Sequence, residues 1–257
     1  MKTPAIREAI RSGRFAEPTA GQAPGHMQAN LVVLPERHAE DFEAFCACNP
    51  RPCPLLAASA PGDPRLPPLG STIDIRTDLP GYRIWQDGVI AAEVTDIRNH
   101  WRDDFVAFAL GCSFGFETAL QENGIYLPHA ANGINVAMYD TSLPLEPIGC
   151  FGGTMVVSMR LIPVTEVERV IKISKGFPDC HGGPVHIGDP CDIGIADLTC
   201  PDYGDYCPGP ADAVPMFWAC GVTPQAAIRR AALDVAITHQ PGKMLICDIP
   251  AASLGKA

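Results

Sequence analysis

The amino-acid sequence predicts an α/β protein: a three-layer αβα main domain carrying a smaller two-layer α+β insertion. Three observations lead to that class. The first is Phe105-Val-Ala-Phe-Ala-Leu110, a continuous apolar run that ends in Gly111-Cys112-Ser113 and leads into a helix reaching Glu122. Apolar strands without alternation are covered on both faces, the usual condition of a parallel sheet between helices. The second is a repeat of that unit near the C-terminus, where Val214 to Ala219 runs into Cys220-Gly221 and a helix over Ala226 to Leu233. The third is a change of texture between the two units, rich in Pro, Gly and Cys. It divides the chain into a main domain of residues 1–140 plus 213–257 and an inserted domain of residues 141–212.

Taken in order, Pro4 to Ser12 is a short helix with Ile6, Ala9 and Ile10 on one face. A Pro/Gly loop over 18–25 precedes Gln28, Asn30 and the strand Leu31 to Leu34. Glu36 to Cys46 is helical, with acids in the first turn where they complement the dipole. Residues 50–68 form a proline-rich connection. Period-two alternation over 73–85, broken at Pro80-Gly81, predicts two short strands, with Asp87-Gly88 as a hairpin turn. In the insertion, Gly152 to Arg160 is a strand and Thr165 opens a helix through Ile173. Ser113 and the Thr223-Pro224 pair are expected helix caps. Residues 235–248 close the chain as two strands about a turn.

Composition narrows the function. A formal net charge of −10 over 257 residues makes nucleic acid and anionic membrane unsuitable partners. No apolar run approaches the length of a membrane span, and the N-terminal residues carry no export pattern, so a cytoplasmic protein is expected. Eleven cysteines, an odd number, are expected to stay thiols in a reducing compartment. Most are read as small buried hydrophobes, because Cys46-x-Cys48-x4-Cys53 lacks zinc-ribbon spacing. There is no P-loop, no GxGxxG after a strand and no HExxH. No cofactor is expected; a divalent metal on His181, His186 and Asp189 is the alternative, though HxxxxH is not a specific metal spacing. A homodimer is the default assembly.

The chemistry-bearing residues gather in three places. His181-Gly-Gly-Pro-Val-His186-Ile-Gly-Asp189 puts two imidazoles and a carboxylate on a loop shaped by Gly and Pro, enough for a proton donor, an acceptor and an orienting group. The two strand-to-helix turns bring Cys112, Ser113, Glu117, Cys220 and Thr223 to a sheet edge, where helix N-termini favour a carboxylate and lower a thiol's pKa. Arg160 and Arg76 lie in apolar strands, where each guanidinium needs an anion: Asp74 or Asp78 for Arg76, a carboxylate for Arg160. Gln28, Asn30 and His239 are further candidate substrate contacts.

Long motifs running in order along the chain carry a resemblance. Thr19-Ala-Gly-x-Ala-x-Gly25-x-x-Gln28-Ala-Asn30, Asn49-Pro-x-Pro-Cys-Pro-Leu55, Asp74-Ile-Arg-Thr-Asp-Leu-Pro80, Gly111-Cys-Ser-Phe-x-Phe-Glu117, Val156-Val-Ser-Met-Arg160, the His181 loop, Phe217-Trp-Ala-Cys-Gly-Val-Thr-Pro-Gln225 and Thr238-His-x-Pro-Gly242 resemble the hydro-lyase family also called the D-glutamate cyclase family. Asp140 and Lys243 depart from its pattern, which has a basic residue and a histidine there. The resemblance implies a three-layer α/β domain with a smaller two-layer domain. It also implies a carbon–oxygen lyase acting on a small carboxylate. A related animal enzyme, which carries a second, unrelated domain, dehydrates D-glutamate to 5-oxo-D-proline. On that expectation His181 or His186 transfers the proton and Asp189 orients it. Arg160 and the Ser113 helix end hold the carboxylate, with Cys112 and Glu117 as alternate base and acid. The competing readings are an amidohydrolase using Cys112 or Cys220 as nucleophile, and a non-catalytic binder of small acids.

Overall fold

The computed structural model describes residues 2–251. Two antiparallel sheets with helices against them make up an α/β architecture. The larger has seven strands: β1 (His26–Pro35), β2 (Leu55–Ala58), β3 (Tyr82–Gln86), β4 (Val89–Val94), β5 (Phe105–Gly111), β10 (Ala236–His239) and β11 (Leu245–Pro250). The order is β2-β5-β1-β10-β3-β4, with β11 also on β1. The smaller sheet, order β6-β7-β9-β8, takes β6 (Met138–Pro144), β7 (Thr154–Pro163), β8 (His186–Ile187) and β9 (Ala213–Ala219). Among the described residues six α-helices accompany them: α1 (Thr3–Arg11), α2 (Ala39–Cys48), α3 (Phe114–Glu122), α4 (Pro128–Ala131), α5 (Val167–Lys175) and α6 (Thr223–Ala231).

Every strand pair is antiparallel, which corrects the parallel sheet expected from β5. Burial on both faces was read correctly, but burial does not encode direction. Phe105, Ala107 and Ala109 enter a core shared with Phe116 and Leu120 of α3, Val170 of α5, and Ile162, Met216 and Trp218 of the smaller sheet. Val106, Phe108 and Leu110 face Phe42 and Phe45 of α2 and Ala227 and Ile228 of α6. Helices on both sides therefore make β5 apolar throughout, whatever its neighbours' direction.

β1 begins earlier than its apolar segment suggests. Its first half pairs β11, its second half β10, and its whole far side β5, so Gln28 and Asn30 become strand residues at the heart of the sheet. The expected strand over 73–78 is instead a series of turns, in which Asp78 accepts the Asp74 N–H (3.0 Å) and Arg76 pairs with Asp74. α1 is clamped by buried Arg7, which donates to Asp248 (2.8 and 2.9 Å) and to the Ile246 carbonyl (2.9 Å). Neither expected cap makes a capping hydrogen bond. Ser113 occupies the N-cap position of α3, whereas at α6 that position is Val222. The Thr223 hydroxyl instead exchanges hydrogen bonds with the Val156 N–H (3.0 Å) and carbonyl (3.1 Å), fastening α6 to β7. Among the described residues no helix is long and apolar enough to cross a membrane.

Candidate active site

Strand alternation turns Val156, Ser158, Arg160 and Ile162 of β7 toward α3. The register with β9 sets Trp218 beside Ser158 on the same face. A guanidinium there is sealed from water and needs a full set of acceptors. α3, its N-cap residue and β7 itself supply them: Glu117 Oε1 accepts from Arg160 Nε (3.0 Å) and Nη2, the Ser113 hydroxyl accepts from Nη2 (3.2 Å), and the Ser158 hydroxyl accepts from Nη1 (2.7 Å). The guanidinium carbon also lies 4.9 Å from the Phe116 ring centre and 5.1 Å from that of Trp218, within cation–π range.

Glu117 has a second partner, His129 of α4, whose Nε2 stands 3.4 Å from Oε1. Burial opposes ionisation of Glu117, but the Arg160 charge and His129 outweigh it and hold the carboxyl at about 2. Neither ring nitrogen of His129 makes a hydrogen bond among the described residues: Nε2 is sealed from solvent and meets Glu117 only as a 3.4 Å ion-pair contact, whereas Nδ1 is not among the sealed atoms. His129 and Arg160 belong to the lining of a narrow cleft with open space of only about 10 Å³, with Asp205 and Cys207 among its other lining residues. Three side chains on α3, α4 and β7 thus stand in line: Arg160 hydrogen-bonds Glu117, Glu117 lies 3.4 Å from His129, and His129 lines the cleft.

The two strand-to-helix turns do meet. Asn30 donates to the Gly111 carbonyl (2.8 Å), and its amide packs so closely on Gly221 that a Cβ there would lie 2.2 Å from Nδ2. Cys112 and Cys220 are buried at this junction, within electrostatic reach of each other, Glu117 and Arg160. Burial pushes Cys112 up to about 12 and Cys220 up to about 11, against the lowering by adjacent backbone N–H groups. The activated thiolates expected of helix N-termini are therefore not formed, because desolvation of the anion outweighs the dipole.

The His181 loop divides. His181 is buried, with a left-handed φ of 75°, and its ring donates from Nδ1 to the Arg51 carbonyl (2.7 Å). Burial lowers its pKa to about 4, aided by the charges of Arg160 and Arg51. His186 pairs with Phe217, whose side chain belongs to the opposite face of the smaller sheet, so its imidazole follows that face, 5.7 Å from the Phe217 ring. His186 Nε2 donates to the Asp189 main-chain carbonyl (2.7 Å), while the Asp189 carboxylate accepts the Cys191 N–H (2.9 Å). The expected relay of His181, His186 and Asp189 is not assembled. Among the described residues no group of three His, Cys, Asp or Glu is placed to hold a metal ion.

The remaining candidates are buried or paired elsewhere. Arg76 is bidentate on Asp74 (2.9 and 2.8 Å). Gln28 donates to the Thr19 carbonyl (2.9 Å). His239 Nδ1 accepts the Leu31 N–H (3.2 Å), with the Gln225 amide 3.3 Å from Nε2; burial lowers this ring to about 4. Sequence reasoning missed His129, Asp205 and Cys207. One signal was available for His129: a lone imidazole directly after the helix-starting Pro128, in the otherwise apolar and amide stretch 123–139.

Comparison with known proteins agrees with the motifs. The family model for D-glutamate cyclase matches residues 106–248, a segment that contains Glu117, His129, Arg160 and His181. A protein of Bordetella petrii named "Putative hydro-lyase" is 54% identical over 93% of this chain and 90% of its own length. One of Jannaschia sp. with the same designation is 55% identical over 95% of this chain and 92% of its own. A solved nitrogen repressor-like protein of Methanococcus jannaschii shares 10% identity at a TM-score of 0.41, too remote to bear on the site. By the extent of the family match and by relatives aligned over nearly its whole length, the chain belongs to the D-glutamate cyclase family.

Proposed function

We propose that the protein is a hydro-lyase that removes water from a small carboxylate, with an acidic amino acid such as D-glutamate as the substrate and 5-oxo-D-proline as the product. Family membership supports the reaction class. The observation that carries the mechanism is His129 on the lining of a cleft, its Nε2 3.4 Å from a carboxylate that Arg160 keeps ionised. A carboxylate facing Nε2 favours the proton there and leaves the Nδ1 lone pair as a base.

In the cyclisation, His129 Nδ1 takes a proton from the substrate ammonium. The freed amine attacks the side-chain carboxyl carbon and forms the C–N bond. His129 passes that proton to the carboxylate oxygen, making it a hydroxyl, then takes the second proton from the nitrogen of the tetrahedral adduct and gives it to the same oxygen, which leaves as water. Imidazolium formed in that step is stabilised by Glu117. Arg160 is a positioning residue: its donors are occupied by Glu117, Ser113 and Ser158, so it fixes the carboxylate and does not clamp substrate.

Purified protein incubated with D-glutamate is expected to yield a product lighter by one water. His129→Gln should lower turnover by about 100-fold or more, with the fold intact by circular dichroism. An unchanged rate in that variant would remove His129 from the chemistry, and ligand-induced stabilisation without turnover would favour a binding protein. The cysteine-nucleophile alternative finds no support in thiols held at about 12 and 11. We place the protein in the cytoplasm, a reading supported by eleven cysteines that are all free thiols.

A further inference from the structure

A second, larger cleft of about 390 Å³ opens between the β6–β7 edge and the C-terminal end of α6. It shares no residue with the His129 cleft. Its walls carry Arg229 and Arg230, Asp140, Thr154, and the backbone of Gly152 and Gly153. Among the described residues neither arginine has a salt-bridge partner within 4.0 Å, in a chain whose other arginines repeatedly find carboxylates. Both lie in the last turn of α6, where the dipole favours cations, and both line the cleft, Arg229 close to the Tyr203 side chain and within electrostatic reach of Asp140.

Gly153 has φ 118°, a conformation side chains rarely adopt, and a Cβ added there would lie 3.4 Å from Arg230 Nε. The chain turn thereby seats itself under the guanidinium. The N–H groups of Gly152 and Gly153 have no hydrogen-bond acceptor among the described residues. Two arginines, two glycines whose N–H groups have no acceptor among the described residues, and a threonine thus line one opening. Donors in that number match the acceptor oxygens of a compact dianion, and Arg presents them in the geometry a carboxylate or phosphate accepts bidentately. The protein's net charge of −10 makes such a local concentration of positive charge a selective feature.

We propose that this cleft is a second ligand site, independent of the His129 cleft, that binds a small dianion bearing carboxylate or phosphate oxygens. Asp140 stands at its edge with the Asp202 carboxylate on its backbone N–H (2.8 Å), which limits the site to small anions held on the arginine side. Titration of 15N-labelled protein with glutarate and, separately, with inorganic phosphate separates the two sources of such oxygens. The expected result is saturable shifts of the Gly152 and Gly153 amide resonances with at least one of them. The Arg229→Ala/Arg230→Ala double variant should weaken that affinity about tenfold or more, and His129→Gln should leave it unchanged. Arg230→Lys, which keeps the charge and removes the fork, should weaken it by a smaller factor. The idea is overturned if neither anion moves those amides at millimolar concentration, or if the double variant binds as tightly as the parent. Because the readout is binding, it stands or falls without reference to turnover at His129.

Discussion

Arg160 is the residue on which the candidate site rests. Its guanidinium is buried on acceptors of Glu117, Ser113 and Ser158 and against two aromatic rings, so removing it strands the Glu117 carboxylate. Arg160→Met should destabilise the fold by about 3 to 5 kcal/mol, the usual cost of breaking a buried pair. Adding Glu117→Gln should restore part of that loss, since the unpaired charge goes with it; urea unfolding of the two variants measures the coupling. His181 and His239 set a pH dependence of their own. Burial holds both near 4, below the 6.5 of a free imidazole, so between those values the unfolded chain binds protons that the folded chain refuses. Stability is therefore complete above about pH 6.5 and falls as the pH drops toward 4, by about 3 kcal/mol per ring. Glu117 adds a lower window, its stabilisation being lost as the pH falls from 4.5 toward 2. Urea midpoints across pH 4 to 7 should flatten in His181→Gln/His239→Gln; a slope equal to the parent's would show that those rings titrate normally.

At the scale of elements, the strand-to-helix turns explain why their glycines have no substitute. A Cβ on Gly111 would stand 1.7 Å from the Asp179 carbonyl oxygen, a backbone atom that cannot swing aside. Gly111→Ala should cost several kcal/mol or prevent folding, whereas alanine at Gly124 meets no atom and strains only its positive φ, a loss of about 1 kcal/mol. Thermal unfolding of the two variants tests the contrast. These turns were legible in the sequence because Gly and Cys interrupt an apolar run. Thr223 was legible as a hydroxyl at a helix start but not as a tie to Val156, since nothing local shows which strand passes beside it. The same limit separated His186 from His181. Five residues apart in one loop, they fall on opposite sides of the smaller sheet because His186 pairs with Phe217.

For the whole molecule, burial sorts the eleven thiols. Cys48, Cys150, Cys191 and Cys200 are exposed and Cys207 is intermediate, while Cys46, Cys53, Cys112, Cys180, Cys220 and Cys247 are buried. A thiol-reactive probe should label only the first five in the native protein, and the other six only on unfolding. Native labelling of Cys112 or Cys220 would contradict the closed junction around Asn30. Labelling at Cys207 should also slow turnover, because that thiol lines the His129 cleft.

Local chemistry made most element types, the family motifs and the candidates Glu117 and Arg160 legible, since apolar runs, glycine breaks and a charge in an apolar strand are visible within a few residues; the turns over 73–78, read as a strand, are the exception. Strand direction, the outward turn of His186 and Asp189, and the recruitment of His129 by Glu117 were decided only in three dimensions. Each depends on which distant segment packs alongside, and that choice belongs to the burial of the shared core between the two sheets.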